Sequence, residues 1–379
     1  MLIPSSDSPQ QTKIVEVAAA VLLREGNGAV SSTGDSSPSG LRTFGEAVGH
    51  PAAVQIPSSH RLETDLPALC ALLRGQRPDG TFLLAQRPPG KIWAGYWEFP
   101  GGKIEPGETP YHALVRELHE ELGITVQTAY PWVTRVFTYP HATVRLNFFR
   151  VTAWGGELHP HEGQKFSWQR VPDISVAPVL PANAPILRAL ALPVLYAISN
   201  AGELGVEEFL RRMETALHNG LRLVQLREKN LSRGELRNLA LRVVALAHAY
   251  GAMVLLNGDV ALAQEVDADG VQITGAQLAE LRERPEVEWC AASCHNAEEL
   301  RRAEELGCDF ALVSPVLPTL SHPGTPHLGW EGFLAIAAGS SIPVYALGGL
   351  SASNMETAWR HGAHGVALLR QAWPDNSSG

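Results

Sequence analysis

Residues 102–124 read Gly-Lys-Ile-Glu-Pro-Gly-Glu-Thr-Pro-Tyr-His-Ala-Leu-Val-Arg-Glu-Leu-His-Glu-Glu-Leu-Gly-Ile. Pro106-Gly107 predicts a turn. Thr109-Pro110 opens a helix, with Thr109 as the N-cap and Pro110 at the first helical position. Ala113, Leu114, Leu118 and Leu122 recur at helical spacing and predict its buried stripe. Gly123 predicts a left-handed cap that ends it. Glu117, Glu120 and Glu121 fall at i, i+3 and i+4 and so share one face. Three ionised carboxylates on one face repel, each pair costing roughly a few tenths of a kcal/mol in an isolated helix. A divalent cation turns that penalty into a site, and carboxylate oxygens suit Mg²⁺ or Mn²⁺. Taken alone, the triplet is an ordinary solvated face; its surroundings favour a site. Gly101-Gly102 lets backbone approach a phosphate closely. Arg116 is expected to pair with a carboxylate, Glu108 being a candidate, and to orient the others. The segment predicts a loop, a helix and a loop that hold a metal beside a phosphate-accepting backbone. Metal-assisted attack of water on a diphosphate linkage is the chemistry expected there.

The spacing from Gly102 through Glu108 and Arg116 to Ile124 matches the Nudix box at every defining position, so this part of the chain resembles a Nudix hydrolase of the MutT-like branch. The run Trp97-Glu98-Phe99-Pro100-Gly101-Gly102-Lys103 extends the likeness. The resemblance implies an α/β/α sandwich with a mixed sheet. It implies Mg²⁺ or Mn²⁺ held by Glu117, Glu120 and Glu121, with Glu98 and Glu162 as further ligands or base and Arg116 in the catalytic set. Glu162 lies in His161-Glu162-Gly163-Gln164. Arg87, eleven residues before Glu98, has the spacing of a substrate-contacting arginine, beside Gly101, Gly102 and Lys103. Asn183, in Pro181-Ala182-Asn183-Ala184-Pro185, matches the asparagine that reads the purine base, since an amide both donates and accepts. The substrate implied is a nucleoside triphosphate, an oxidised purine such as 8-oxo-dGTP being favoured.

At 379 residues, two domains are expected. The net charge of −9 argues against a general nucleic-acid surface. No apolar run is long enough to span a membrane, and the first residues lack the basic and apolar regions of a signal peptide. Cys70, Cys290, Cys294 and Cys308 form no Cys-x-x-Cys pair; reduced thiols and a cytoplasmic location are expected. Residues 1–12 read as a mobile tail and 13–188 as the first domain. Within it, 25–66 is rich in Gly, Ser, Pro and Ala and reads as a largely disordered insertion. Strands are expected at Val15–Leu23, Leu69–Leu73, Thr81–Gln86, Trp132–Thr138 and Thr143–Trp154. Residues 189–193 read as a linker, 194–374 as a second domain and 375–379 as a tail.

In that second domain short apolar runs alternate with helical stretches: Val194–Ile198, Leu221–Leu226, Met253–Leu256, Gly270–Ile273, Trp289–Ser293, Phe310–Val313, Val344–Leu347 and Gly365–Leu369. Eight such strands predict a (β/α)₈ TIM barrel with its site at the strands' C-terminal ends. Those ends carry Gln225-Leu226-Arg227-Glu228-Lys229, Asn257-Gly258-Asp259, Ser293-Cys294-His295-Asn296, Ser314-Pro315 and Gly348-Gly349. This half resembles the thiamin phosphate synthase and TenI-like family. The resemblance implies a phosphorylated thiazole or related ligand, with Gln225, Arg227 and Lys229 facing phosphates, Asn257 nearby, and Gly348-Gly349 amides cradling a phosphate. Three positions depart from the synthase pattern: Gly258 and Gln277 replace two acidic metal ligands, and His322 replaces a lysine. The departures favour the metal-free, TenI-like pattern, in which His295 is the acid/base candidate. Cys294 reads as a small buried side chain. A thiamin-related diphosphate as the first domain's substrate, and a barrel that only binds ligand, are the alternatives.

Overall fold

The computed structural model describes residues 14–24, 80–161, 163–319, 324 and 326–375. The expected insertion at 25–66, the strand expected at Leu69–Leu73, Cys70, Glu162 and His322 lie outside the described residues.

The first domain contains β1 (Ile14–Arg24), β2 (Thr81–Gln86), β3 (Trp97–Glu98), β4 (Gly101–Lys103), α1 (Pro110–Leu122), β5 (Thr125–Tyr139), β6 (Ala142–Gly155), β7 (Phe166–Gln169) and α2 (Ala184–Leu190). The strands form one mixed sheet in the order β3-β2-β1-β6-β5, with β4 on β1 and β7 on β2. β1 is its axis, parallel to β6 and antiparallel to β2 and β4. Alternation along β1 divides the core into two layers. Ala18, Ala20 and Leu22 pack with Leu114, Leu118 and Leu122 of α1, while Ala19 and Val21 pack with Phe82, Phe99, Phe148 and Ile186 of α2. An α/β/α sandwich results, as expected. α1 has the predicted ends: the Thr109 hydroxyl accepts from His112 N–H, and Gly123 is left-handed at φ 71°. Its buried residues are Ala113, Leu114, Leu118 and Leu122.

The second domain continues with β8 (Leu195–Ile198), α3 (Ala201–Leu204), α4 (Val206–His218), β9 (Leu223–Leu226), α5 (Arg233–Ala249), β10 (Met253–Asn257), α6 (Val260–Glu265), β11 (Gly270–Ile273), α7 (Gly275–Glu280), β12 (Trp289–Cys294), α8 (Ala297–Leu306), β13 (Phe310–Val313), α9 (Gly329–Ala337), β14 (Val344–Leu347), α10 (Met355–Arg360) and β15 (Gly365–Leu368). β8 to β15 close a parallel barrel through β15–β8 pairing. Inward residues, among them Tyr196, Leu223, Leu255, Phe310, Leu312 and Tyr345, fill the interior, so it is a packed core rather than a pore.

The segment 189–193 is not a free connector. Ala189 belongs to the core of the first domain and Leu192 to the barrel interior. Around it the first domain docks on residues that immediately precede barrel strands. Thr134 N–H donates to Ser340 O at 2.9 Å, and Arg135 donates to Ser341 O at 2.9 Å. Arg188 bonds Asp309 and Glu288 O and lies 4.0 Å from the Trp289 ring centroid. Arg150 donates to His364 O at 2.7 Å, and its guanidinium covers the Trp132 ring at 4.5 Å. The first domain therefore covers the N-terminal end of the barrel, and the strands' C-terminal ends lie at the far end.

Candidate active site

A cavity of about 610 Å³ opens in the first domain, a size that suits a small-molecule ligand. Its wall includes Glu98, Glu117, Glu121, Gly101, Gly102 and Lys103, together with Arg87 and Asn183. The helix and the β3–β4 segment build this wall together. The Gly101 N–H donates to the Glu121 carboxylate at 3.2 Å. A Cβ at Gly102 would sit 2.1 Å from Glu117 Cδ, and one at Gly101 would sit 2.1 Å from Ala18 O, with φ already at +141°. The two glycines thus make room for Glu117 and for the central strand. That packing explains both residues without invoking a phosphate.

Arg116 pairs with Glu108 through two contacts, Nε at 3.0 Å and Nη2 at 2.9 Å. It also reaches Glu117 at 2.8 Å, Glu120 at 3.2 Å and the Lys103 carbonyl at 2.9 Å. Glu108 raises the Arg116 pKa first and Glu117 second, while Arg116 holds the Glu108 carboxyl below the usual range. The carboxylates on α1 therefore divide. Glu117 and Glu121 reach the cavity wall; Glu120 is 59% exposed, tied to Arg116 and not on that wall. Glu98 is on the wall but paired with Arg87 at 2.5 Å, and burial raises its pKa against the lowering effect of that arginine. Arg87 is correspondingly held by Glu98 and by the Ile92 carbonyl. Hard oxygen donors at Glu117 and Glu121, close to a glycine backbone, have the chemistry that fits a small divalent cation. Among the described residues no three His, Cys, Asp or Glu side chains are gathered closely enough to hold a metal ion.

Three residues that line this cavity each carry a buried polar atom with no hydrogen-bond partner among the described residues: Asn183 Nδ2, Gln164 Oε1 and Trp93 Nε1. Such atoms are rare in folded proteins and suit a polar ligand. Asn183 was expected here; Gln164 and Trp93 were not. The sequence signal for Trp93 was an apolar tryptophan in the glycine-flanked run Gly90-Lys91-Ile92-Trp93-Ala94-Gly95.

On the barrel, Gln225 donates to Asn257 Oδ1 at 3.4 Å, Arg227 is half-buried with its pKa lowered by burial, and Lys229 is exposed. Glu228 is occupied structurally, accepting from Ser199 Oγ and from the N–H groups of Ala201 and Gly202. Gly258 and Gln277 face each other: Gln277 Nε2 donates to Gly258 O at 2.6 Å, and Gln277 Oε1 accepts from Thr274. Asp259 accepts from Leu262 N–H as a helix cap. An amide, a glycine and an engaged carboxylate thus stand at this rim. Gly348 and Gly349 both have positive φ, and a Cβ at either would strike Pro315 or Pro318. His295 is exposed, with Nδ1 3.0 Å from Glu299. Cys294 is buried, and burial pushes its thiol up to about 12, which rules out a thiolate nucleophile near neutrality.

A family model described as thiamine monophosphate synthase matches residues 195–372, and one described as NUDIX domain matches residues 71–189. A putative thiamine-phosphate synthase 2 of Aquifex aeolicus is 37% identical over 180 residues, covering 47% of this chain and 96% of that protein. A putative thiamine-phosphate synthase of Geobacter sulfurreducens is 37% identical over 180 residues, covering 46% of this chain and 84% of that protein. A solved MutT structure, from a study of Aliivibrio salmonicida and Vibrio cholerae, is 36% identical, covers 29% of this chain and 84% of its own, and has a TM-score of 0.25.

Proposed function

We propose, for a chain that belongs to the thiamine monophosphate synthase family in its C-terminal half and carries a NUDIX domain in its N-terminal half, that the N-terminal cavity is a pyrophosphohydrolase site. The observation that carries this reading is the juxtaposition on one wall of Glu117 and Glu121 with the unpartnered amide of Asn183. One stretch of that wall suits a metal and a phosphate, and another offers polar recognition. Glu117 and Glu121, with Glu162 as the further ligand that the resemblance implies, would hold Mg²⁺ or Mn²⁺, which would supply Lewis-acid stabilisation of phosphate charge. Arg116 fixes Glu117 through its shared contact with Glu108, Glu98 is kept in place by Arg87, and Gly101 N–H positions Glu121. The overall reaction cleaves a nucleoside triphosphate with water to the monophosphate and pyrophosphate.

The favoured substrate is an oxidised purine, 8-oxo-dGTP, with Asn183 reading the base. Release of pyrophosphate from 8-oxo-dGTP and dGTP, and of inorganic phosphate from thiamin diphosphate, should be measured with Mg²⁺ at low substrate concentration. Clear preference for 8-oxo-dGTP supports the reading. Preference for thiamin diphosphate replaces it with the thiamin-related alternative.

For the barrel, a specific observation favours a second reading. The Gln277 amide bonded to the Gly258 carbonyl occupies the place where the synthase pattern puts carboxylates. We read the barrel as a metal-free phosphate-ligand site, with His295 in an acid/base role on a thiazole phosphate. Loss of tautomerisation in His295→Ala supports that role; binding of a thiazole phosphate by calorimetry with no turnover leaves a binding module.

A further inference from the structure

We propose that Trp93 determines substrate specificity in the N-terminal cavity, its indole N–H donating to an acceptor on the edge of the ligand's heterocycle. The inference rests on the reading of this cavity as a pyrophosphohydrolase site. Trp93 has φ +64°, a conformation in which bulky L-residues are outliers. Strain of this kind persists only where the surroundings enforce it, and it gathers at functional positions. Here the enforcement is visible. The Trp93 carbonyl accepts from Tyr96 N–H at 3.1 Å, and the indole meets the Tyr96 ring edge-on at 4.9 Å and the Tyr139 ring at 5.9 Å. That grip places the indole on the cavity wall, where its Nε1 is buried without a partner among the described residues. A tryptophan present only for packing has no need to bury a free donor at a strained backbone position.

The position of Trp93 agrees with this role. Tyr139, which packs on the indole, lines the same cavity as Ala182 and Asn183. Trp93, Tyr139 and Asn183 thus line the cavity that Gly101, Glu117 and Glu121 also line. These three residues combine aromatic faces with two donors that have no partner among the described residues, Trp93 Nε1 and Asn183 Nδ2. They suit a planar heterocycle that presents carbonyl oxygens or ring nitrogens as acceptors.

The test uses the full chain and steady-state kinetics on whichever of 8-oxo-dGTP, dGTP and thiamin diphosphate the wild type hydrolyses best. Trp93→Phe keeps the ring and removes the donor. It should raise KM about tenfold, with kcat within about twofold, because a neutral hydrogen bond to the ligand is lost while the α1 wall is untouched. Trp93→His keeps a ring N–H and should recover part of that loss. An unchanged KM in Trp93→Phe, with the same unfolding temperature as wild type, overturns the inference. If the wild type prefers thiamin diphosphate, the purine reading fails and the Trp93 comparison still decides on that substrate. No turnover of any of the three removes the premise and the inference with it.

Discussion

Gly102 shows how a single side chain can be required to be absent. Its Cβ would fall 2.1 Å from Glu117 Cδ, and the atom it meets is the far end of a flexible side chain. Gly102→Ala should therefore spare the fold, with stability changed by about 1 kcal/mol or less, while turning the Glu117 carboxylate off the cavity wall. Pyrophosphate release should fall about 100-fold or more, as expected for misplacing a group beside the reacting centre. Gly101→Ala should behave differently. The added carbon meets backbone, Ala18 O, and φ is +141°, so a loss of about 2–3 kcal/mol is expected in urea unfolding. If both variants unfold alike, the division between the two glycines is wrong. The sequence marked both as glycines near a phosphate. It could not show that one makes way for a strand and the other for a carboxylate, because both neighbours are distant in the chain. Glu120 teaches the same lesson. Its spacing placed it with Glu117 and Glu121, and the structure ties it to Arg116 away from the cavity wall.

Helix α1 was legible almost to the residue because its determinants are local. A cap, a proline, a stripe and a terminal glycine each act within one turn. Thr109→Ala removes the acceptor for His112 N–H and should cost about 1 kcal/mol in chemical denaturation. A loss below a few tenths would mean that the cap does not hold the helix start. The eight barrel strands were legible for a related reason. A strand buried on both faces is a short apolar run whatever surrounds it. Less legible was what depends on partners from elsewhere. β5 spans Thr125–Tyr139, longer than the expected Trp132–Thr138, because pairing with β6 continues through three register shifts. The segment 189–193 looked like a connector by composition, but tertiary packing divides it between two cores. At the barrel rim, Gln277 read as a missing carboxylate. Only the fold shows that its amide spans to the Gly258 carbonyl.

The domains meet at the N-terminal end of the barrel, so the strands' C-terminal ends face away from the join. The geometry predicts independent sites: Glu117→Gln should leave barrel ligand binding unchanged, and His295→Ala should leave pyrophosphate release unchanged. The join itself is built on a buried polar knot whose protonation can be worked out. His364 Nε2 lies 2.9 Å from Leu192 O, while Nδ1 meets Arg150 at 2.6 Å and Trp132 Nε1 at 3.2 Å. Arg150 and Trp132 can only donate, so Nδ1 accepts and the imidazole is neutral with its proton on Nε2. Burial, then the charge of Arg150, pushes the His364 pKa well below its ordinary 6.5. On acidification the unfolded chain takes up this proton first, so the contribution of His364 is fully present above pH 6.5 and is lost as pH falls below it. Urea unfolding midpoints from pH 8 to pH 5 should therefore fall more steeply in the wild type than in His364→Gln. The glutamine amide can donate to Leu192 O and accept from Arg150 without titrating. Parallel pH profiles for the two proteins would show that His364 does not couple the domain join to protonation.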